Sequence, residues 1–220
     1  MRETLRLDCR RAIESRPGPQ PHLTGRSNMS MKRVAVAAAA AWALGAHIPV
    51  SGTAGELDGV TLPDQVTVEG RTLALNGMGL RQATILRVHV YVAGLYLEAR
   101  SPDASQIIAS EGTKRLVLHF VRDVGRGNLV EAWDEGFAKS AGPGLAALRD
   151  RVTTLDTWMV DVKRGETLVF TQIPRRGVVV EVKGQTKGTL DGADFARALW
   201  GIWLGDRPPN PELKKGLLGG

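Results

Sequence analysis

The sequence predicts an α+β domain in which a large antiparallel sheet is covered by helices on one face. Three observations carry this. Apolar runs with a period of two recur along the chain, some separated only by lengths suited to hairpin turns. Stretches with helical spacing of apolar side chains gather in the second half of the chain. The early strands follow one another without helices between them, whereas a parallel sheet would need strand–helix alternation.

The chain has 220 residues, and its front end is read apart from the rest. Residues 1–30 hold Arg2, Arg6, Arg10, Arg11, Arg16 and Arg26 with Pro17, Pro19 and Pro21, a composition that cannot pack. They read as a non-native or disordered extension, with translation expected to begin at Met29 or Met31. Met31-Lys32-Arg33, the apolar run Val34 to Val50 and the small residues Ser51-Gly52-Thr53-Ala54 predict a signal peptide over 31–54, cut near Ala54. The apolar run is shorter than the roughly 20 residues that a spanning helix needs. One domain is expected over 55–220.

Setting the leader aside changes the charge argument. Of 29 Lys and Arg, eight precede Gly55, and of 23 Asp and Glu, three do, which leaves 21 against 20 in the domain. The pI near 9.8 therefore belongs to the leader, and a nucleic-acid partner loses its electrostatic basis. Cys9, the single cysteine, also lies in the leader. The domain then has neither disulfide nor thiolate chemistry, and must hold itself together with an apolar core. An exported, periplasmic domain fits that pattern.

Strands are expected over Gln65–Val68, Arg71–Leu75, Ile85–Leu97, Arg115–Arg122, Thr167–Ile173 and Val178–Lys183. In the fourth, Leu116, Leu118 and Phe120 alternate with Val117, His119 and Val121, which predicts a strand covered on both faces or nearly so. Pro174-Arg175-Arg176-Gly177 reads as a hairpin turn with a solvated basic tip. Ser101-Pro102-Asp103 predicts a helix capped at Ser101 with proline first, leading into Ile107 and Ile108. Asn128 to Ala141 carries Leu129, Trp133 and Phe137 at helical spacing, and Gly142-Pro143-Gly144 separates it from a helix over Leu145–Leu155. Asp191 and Asp194 predict a capping-box start to a last helix with Phe195, Leu199, Ile202 and Trp203 on one face, ending at Gly205. That tryptophan-bearing stripe reads as core.

Several chemistries lack their residues. Only His89 and His119 remain in the domain, without paired ligand spacing, so no metal is expected. None of Ser101, Ser105, Ser110 and Ser140 lies in a Gly-x-Ser-x-Gly turn. Gly77-Met78-Gly79 and Gly125-Arg126-Gly127 lack the rest of a nucleotide fingerprint, and no cofactor is expected. What remains is an arginine and a tyrosine. A guanidinium stays charged when partly buried and forms two parallel hydrogen bonds to a carboxylate, and a phenol adds a third donor. On Ile85–Leu97 the period of two places Arg87 and His89 on the face of Tyr91, beside Ala93, Leu95 and Leu97. A face that starts polar and ends apolar suits the wall of a polar-ended cavity; an edge facing solvent is the alternative. A straight strand parts residues ten apart by about 33 Å, at ~3.3 Å per residue, so an arginine and a tyrosine at that spacing meet only if the chain bends between them.

Arg81 after Gly79, the segment Val90 to Glu98, Lys114-Arg115-Leu116 and Phe120 to Val124 together resemble the bacterial domains of the chalcone isomerase-like superfamily. So do Phe195-Ala196-Arg197-Ala198, Trp203-Leu204-Gly205 and Lys215 to Gly219. The resemblance covers about residues 56–220. It implies an open-faced β-sandwich, a large antiparallel sheet with helices packed against it. Plant enzymes of the superfamily cyclise chalcones, and their arginine is matched by Arg81. Their threonine falls near Tyr91 and their helical serine or threonine near Ala196, so most of the catalytic set is missing. Other members bind fatty acids and keep the arginine as carboxylate partner. The resemblance therefore implies a non-catalytic binder of a fatty acid or similar small amphipathic carboxylate, with Arg81 and Tyr91 as ligand-binding residues. The alternatives are an isomerase or lyase acting on an enone, and an accessory protein of the bacterial envelope with a protein partner there.

Overall fold

The computed structural model describes residues 55–84 and 86–220. The extension over 1–30 and the signal peptide expected over 31–54 lie outside the described residues. The chain order is β1 (Gly55–Leu57), β2 (Val60–Leu62), β3 (Gln65–Val68), β4 (Arg71–Ala83), β5 (Val88–Leu97), α1 (Ala104–Ala109), β6 (Lys114–Phe120) and α2 (Arg126–Ala141). A 3₁₀ turn at Gly142–Gly144 then leads to α3 (Leu145–Trp158), β7 (Thr167–Ile173), β8 (Gly177–Val182), β9 (Gln185–Leu190), α4 (Ala193–Leu204) and α5 (Pro211–Leu217). Strands β3 to β9 form one antiparallel sheet in sequence order, and β1 pairs with β2 as a separate hairpin.

Period-two side chains explain the sheet's two faces. Leu116, Leu118 and Phe120 of β6, Leu168 and Phe170 of β7, and Val178, Val180 and Val182 of β8 are buried toward the helices. Arg115, Val117 and His119 stand half-buried on the other face. That second face is covered only in part: Val60 and Leu62 of the β1–β2 hairpin pack on Val92. The near-complete cover expected for β6 on both sides is therefore present on one.

Helix α4 is apolar almost all round because it is packed almost all round. Phe195, Leu199, Trp200, Trp203 and Leu204 are each at most 2% exposed. Against it lie α2, whose Leu129, Trp133 and Phe137 form one stripe, and α3 with Leu148, Val152 and Leu155. The end caps differ from the sequence reading. Asp103, not Ser101, caps α1, accepting from the backbone N–H of Ser105 and Gln106 at 2.8 and 3.1 Å. A carboxylate adds favourable charge at a helix start, which a hydroxyl does not; Ser101 Oγ accepts instead from the Asp103 N–H. No capping box forms at α4. Its cap is Gly192, and Asp194 is drawn into a two-pronged pair with Arg151, both contacts at 2.7 Å.

The β4–β5 hairpin carries two bulges. Leu75 opposes Tyr96 and Gly77 opposes Leu95, leaving Asn76 as an extra residue. Its side chain donates to the carbonyls of Ser101 and Leu217 at 3.0 and 2.8 Å and accepts from the Ser101 N–H at 2.7 Å. One bulged residue thereby ties the sheet to the loop before α1 and to the end of α5. Helix α5 lies directly on β4, where Gly77 and Gly79 leave room for its backbone.

Candidate functional site

Arg81 and Tyr91 are directly opposed across the β4–β5 ladder. Cross-strand partners project from one face with Cβ atoms about 4.5–5.5 Å apart, so the bend that the sequence left open is supplied by a hairpin. The hairpin closes where the Arg87 N–H donates to the Thr84 carbonyl at 3.1 Å. The strand read as Arg71–Leu75 runs on to Ala83, and the one read as Ile85–Leu97 begins at Val88.

The second bulge sits beside this pair. Arg81 opposes Tyr91 and Gln82 opposes His89, leaving Val90 unpaired. Bulges re-aim side chains, and here both Val90 and Tyr91 line the same cavity. His89 passes to the opposite side, where its ring lies 3.0 Å from Asp58 in the β1–β2 turn and 3.2 Å from Gln82. The expectation that Arg87 and His89 share the face of Tyr91 is thus corrected: Arg87 belongs to the turn, and neither residue lines the cavity.

That cavity, about 690 Å³, opens between sheet and helices. Tyr91, Leu118 and Phe120 form its sheet wall, Leu129 and Trp133 its α2 wall, and Ile202 and Trp203 its α4 wall. Charged side chains rim it: Arg81, Arg122, Lys139 and Arg207 against Asp123, Glu131 and Glu135. A larger groove of about 970 Å³ crosses α1, α4 and the start of α3 but reaches neither Arg81 nor Tyr91. Its size is less telling than the chemistry of the smaller cavity, because it is a wide, mixed-charge surface channel.

Arg81 is half-buried, and its guanidinium donates locally to the Gln82 carbonyl. Among the described residues no carboxylate forms an ion pair with it. Its charge is nonetheless felt across the cavity. Glu135 is held below the usual carboxylate range, first by Lys139 one turn along α2 and to a lesser degree by Arg81. Tyr91 is half-buried on the cavity wall, and burial pushes its phenol pKa up; the Trp203 hydrogen bond and the Arg81 charge oppose that rise. Its ring meets Phe120 edge-on at 5.6 Å, and its hydroxyl accepts from Trp203 Nε1–H at 3.0 Å. Ala196 is buried outside this cavity.

Sequence reasoning missed Trp203 as a site residue because its apolar stripe is sufficient reason for its burial. The available signal was the indole N–H, a donor that seeks a partner when buried. Charges on α2 such as Glu135 and Lys139 carry no sequence signal that separates them from an ordinary solvated helix face. Among the described residues no group of His, Cys, Asp and Glu is placed to hold a metal ion, and no helix is long and apolar enough to cross a membrane.

A meander sheet, helices on one face and an interlayer cavity with a guanidinium and a phenol on its sheet wall define an open-faced α+β sandwich. The chain belongs to the chalcone isomerase-like family, whose profile matches residues 54–219. The crystal structure of a fatty-acid-binding protein from Arabidopsis thaliana shares the fold, with a TM-score of 0.59 and 16% sequence identity over 75% of this chain and 95% of that one. No match to a curated protein sequence was found.

Proposed function

We propose that the domain binds a fatty acid or a similar small amphipathic carboxylate, without turning it over. The observation that carries the reading is the opposed pair Arg81 and Tyr91 on the wall of an aromatic and aliphatic cavity. Its volume falls in the range of about 300–1,000 Å³ usual for small-ligand sites. A guanidinium and a phenol hold the acid group, while Leu118, Leu129 and Ile202 receive the chain. The fatty-acid-binding protein of the same fold supports this reading. The resemblance puts Tyr91 near the plant enzymes' threonine and Ala196 near their helical hydroxyl, which weighs against isomerase chemistry.

Calorimetric titration with dodecanoate should show Arg81→Ala binding about 10–100-fold more weakly than wild type, the order expected for a hydrogen bond to a charged group. Equal affinities, or no binding by either protein, reject the proposal. Chalcone turnover abolished by Arg81→Ala would replace it with the isomerase reading.

Export to the periplasm belongs to the same proposal and rests on the pattern over 31–54. Expressed from Met31 in a Gram-negative host, the protein should appear in the periplasmic fraction with its N-terminus near Gly55. Retention of an intact leader in the cytoplasm would end that part of the proposal.

A further inference from the structure

We propose that Trp203 is a positioning residue that sets the hydrogen-bond polarity of Tyr91, so that the site accepts an ionised carboxylate and discriminates against its ester. The inference rests on the binding reading above and names which form of the head group the site selects. An indole N–H can only donate, and a phenol can donate one proton while accepting. Trp203 is 1% exposed, wedged edge-on against Trp133 at 5.9 Å and tilted against Phe170 at 5.8 Å, so its N–H has one direction. That N–H lies 3.0 Å from Tyr91 Oη, which must therefore accept.

The Tyr91 proton is then left over. Among the described residues the hydroxyl has no second hydrogen-bond partner, and the side chain faces the cavity it shares with Arg81. Arg81 also only donates. Both groups that close this end of the cavity thus offer protons and no lone pair directed at the ligand. A carboxylate, acceptor on both oxygens, matches that end. An ester presents weaker, uncharged oxygens to the same two donors. The bond from Trp203 also makes the Tyr91 O–H a stronger donor, because accepting one hydrogen bond polarises the next. In keeping with this, it opposes the upward push of burial on the phenol.

The chain has two tyrosines, Tyr91 and Tyr96, so in a Tyr96→Phe background an ultraviolet titration reports Tyr91 alone. Trp203→Phe in that background should raise the Tyr91 pKa further, with no ligand present. For dodecanoate against methyl dodecanoate, Trp203→Phe should reduce the wild-type preference for the acid about tenfold, the order of one charge-assisted bond, with ester affinity little changed. Tyr91→Phe should lose the same preference, and the double variant no more than either single one. A folded Trp203→Phe protein with unchanged titration and unchanged acid-to-ester ratio overturns the proposal. If wild type binds no dodecanoate, the functional reading falls while the titration still decides whether the indole polarises the phenol. Should Trp203→Phe not fold, the bond is read from its other end by nuclear magnetic resonance. The Trp203 indole proton should move upfield in Tyr91→Phe, and a resonance that stays in place overturns the assignment.

Discussion

Alanine at Gly77 is expected to lift α5 from β4 and to lower stability by about 3 kcal/mol or more, the upper end for overpacking a tight site. A Cβ there would overlap the Gly216 carbonyl oxygen and lie 2.8 Å from the Gly219 nitrogen and 2.9 Å from the Leu217 carbonyl oxygen. These are backbone atoms, which cannot rotate aside as a side-chain tip does. The opposing helix is equally committed, since a Cβ on Gly216 would overlap the Met78 carbonyl. Urea unfolding of Gly77→Ala should show the loss, together with faster tryptic cleavage at Lys214 and Lys215. Gly127→Ala is the control, because nothing lies within 4 Å of the added carbon and the site is helical; its effect should stay within about 1 kcal/mol. A Gly77→Ala protein as stable as the control would mean that α5 does not sit this close to the strand.

The second large effect is expected at Lys114, which is 1% exposed at the start of β6. Its ammonium donates to Ser110 O at 2.8 Å, to Ser110 Oγ at 3.1 Å and to the Ile107 carbonyl, and lies 5.3 Å from the centre of the Trp200 ring. Gln172 completes the cluster, donating to Ser110 O and accepting from Trp200 Nε1–H. Among the described residues no carboxylate pairs with the lysine, and burial pushes its pKa down to about 8. Lys114→Ala removes a buried stem and the ammonium that holds the end of α1. It should cost about 2–5 kcal/mol at pH 7, as for other large core truncations.

The same group makes stability depend on pH. Its pKa is near 8 in the folded chain and 10.5 when exposed, so between these values the unfolded chain binds more protons. Stability contributed by this site therefore rises with pH across that window, is fully present above 10.5, and is lost as pH falls through 8. The ceiling is about 3 kcal/mol at 1.36 kcal/mol per pKa unit, and the carbonyl contacts, which favour the charged form, reduce it. Wild type measured against Lys114→Met, which keeps most of the stem, isolates this trend from the tyrosines. Tyr96, with a pKa raised to about 12, acts in the opposite direction above pH 10. A difference between the two proteins that stays flat from pH 8 to 10.5 would show that the ammonium is hydrated.

Parts of the fold missing from the sequence reading had local signals of uneven strength. Asp58-Gly59, Glu69-Gly70 and Lys183-Gly184 each pair two residues at positive φ, the two-residue turn that joins tightly twisted strands. The first and last of these mark β1–β2 and β9, both passed over because β1 and β2 are three residues each and β9 is polar. The turn that unites Arg81 with Tyr91 carries no such mark. Thr84 and Arg87 adopt φ of 64° and 51°, a conformation unusual for residues of these types, in a stretch whose composition reads as strand. Helix α5 was invisible as well, with one proline, two lysines and a glycine in seven residues; its place is secured by what it packs on.

By itself the sequence determined the fold class and the apolar stripes of α2 and α4, because periodicity is a local property of a chain, while the family resemblance singled out Arg81 and Tyr91 as the side chains worth testing. Only the tertiary structure decided that these two stand opposite one another, that Val90 bulges and sends His89 to the far face, and that the Trp203 N–H meets the Tyr91 hydroxyl. The physical reason is that strand register and buried donor pairing depend on which segments meet in space. A shift of one residue in register exchanges the faces of every side chain beyond it.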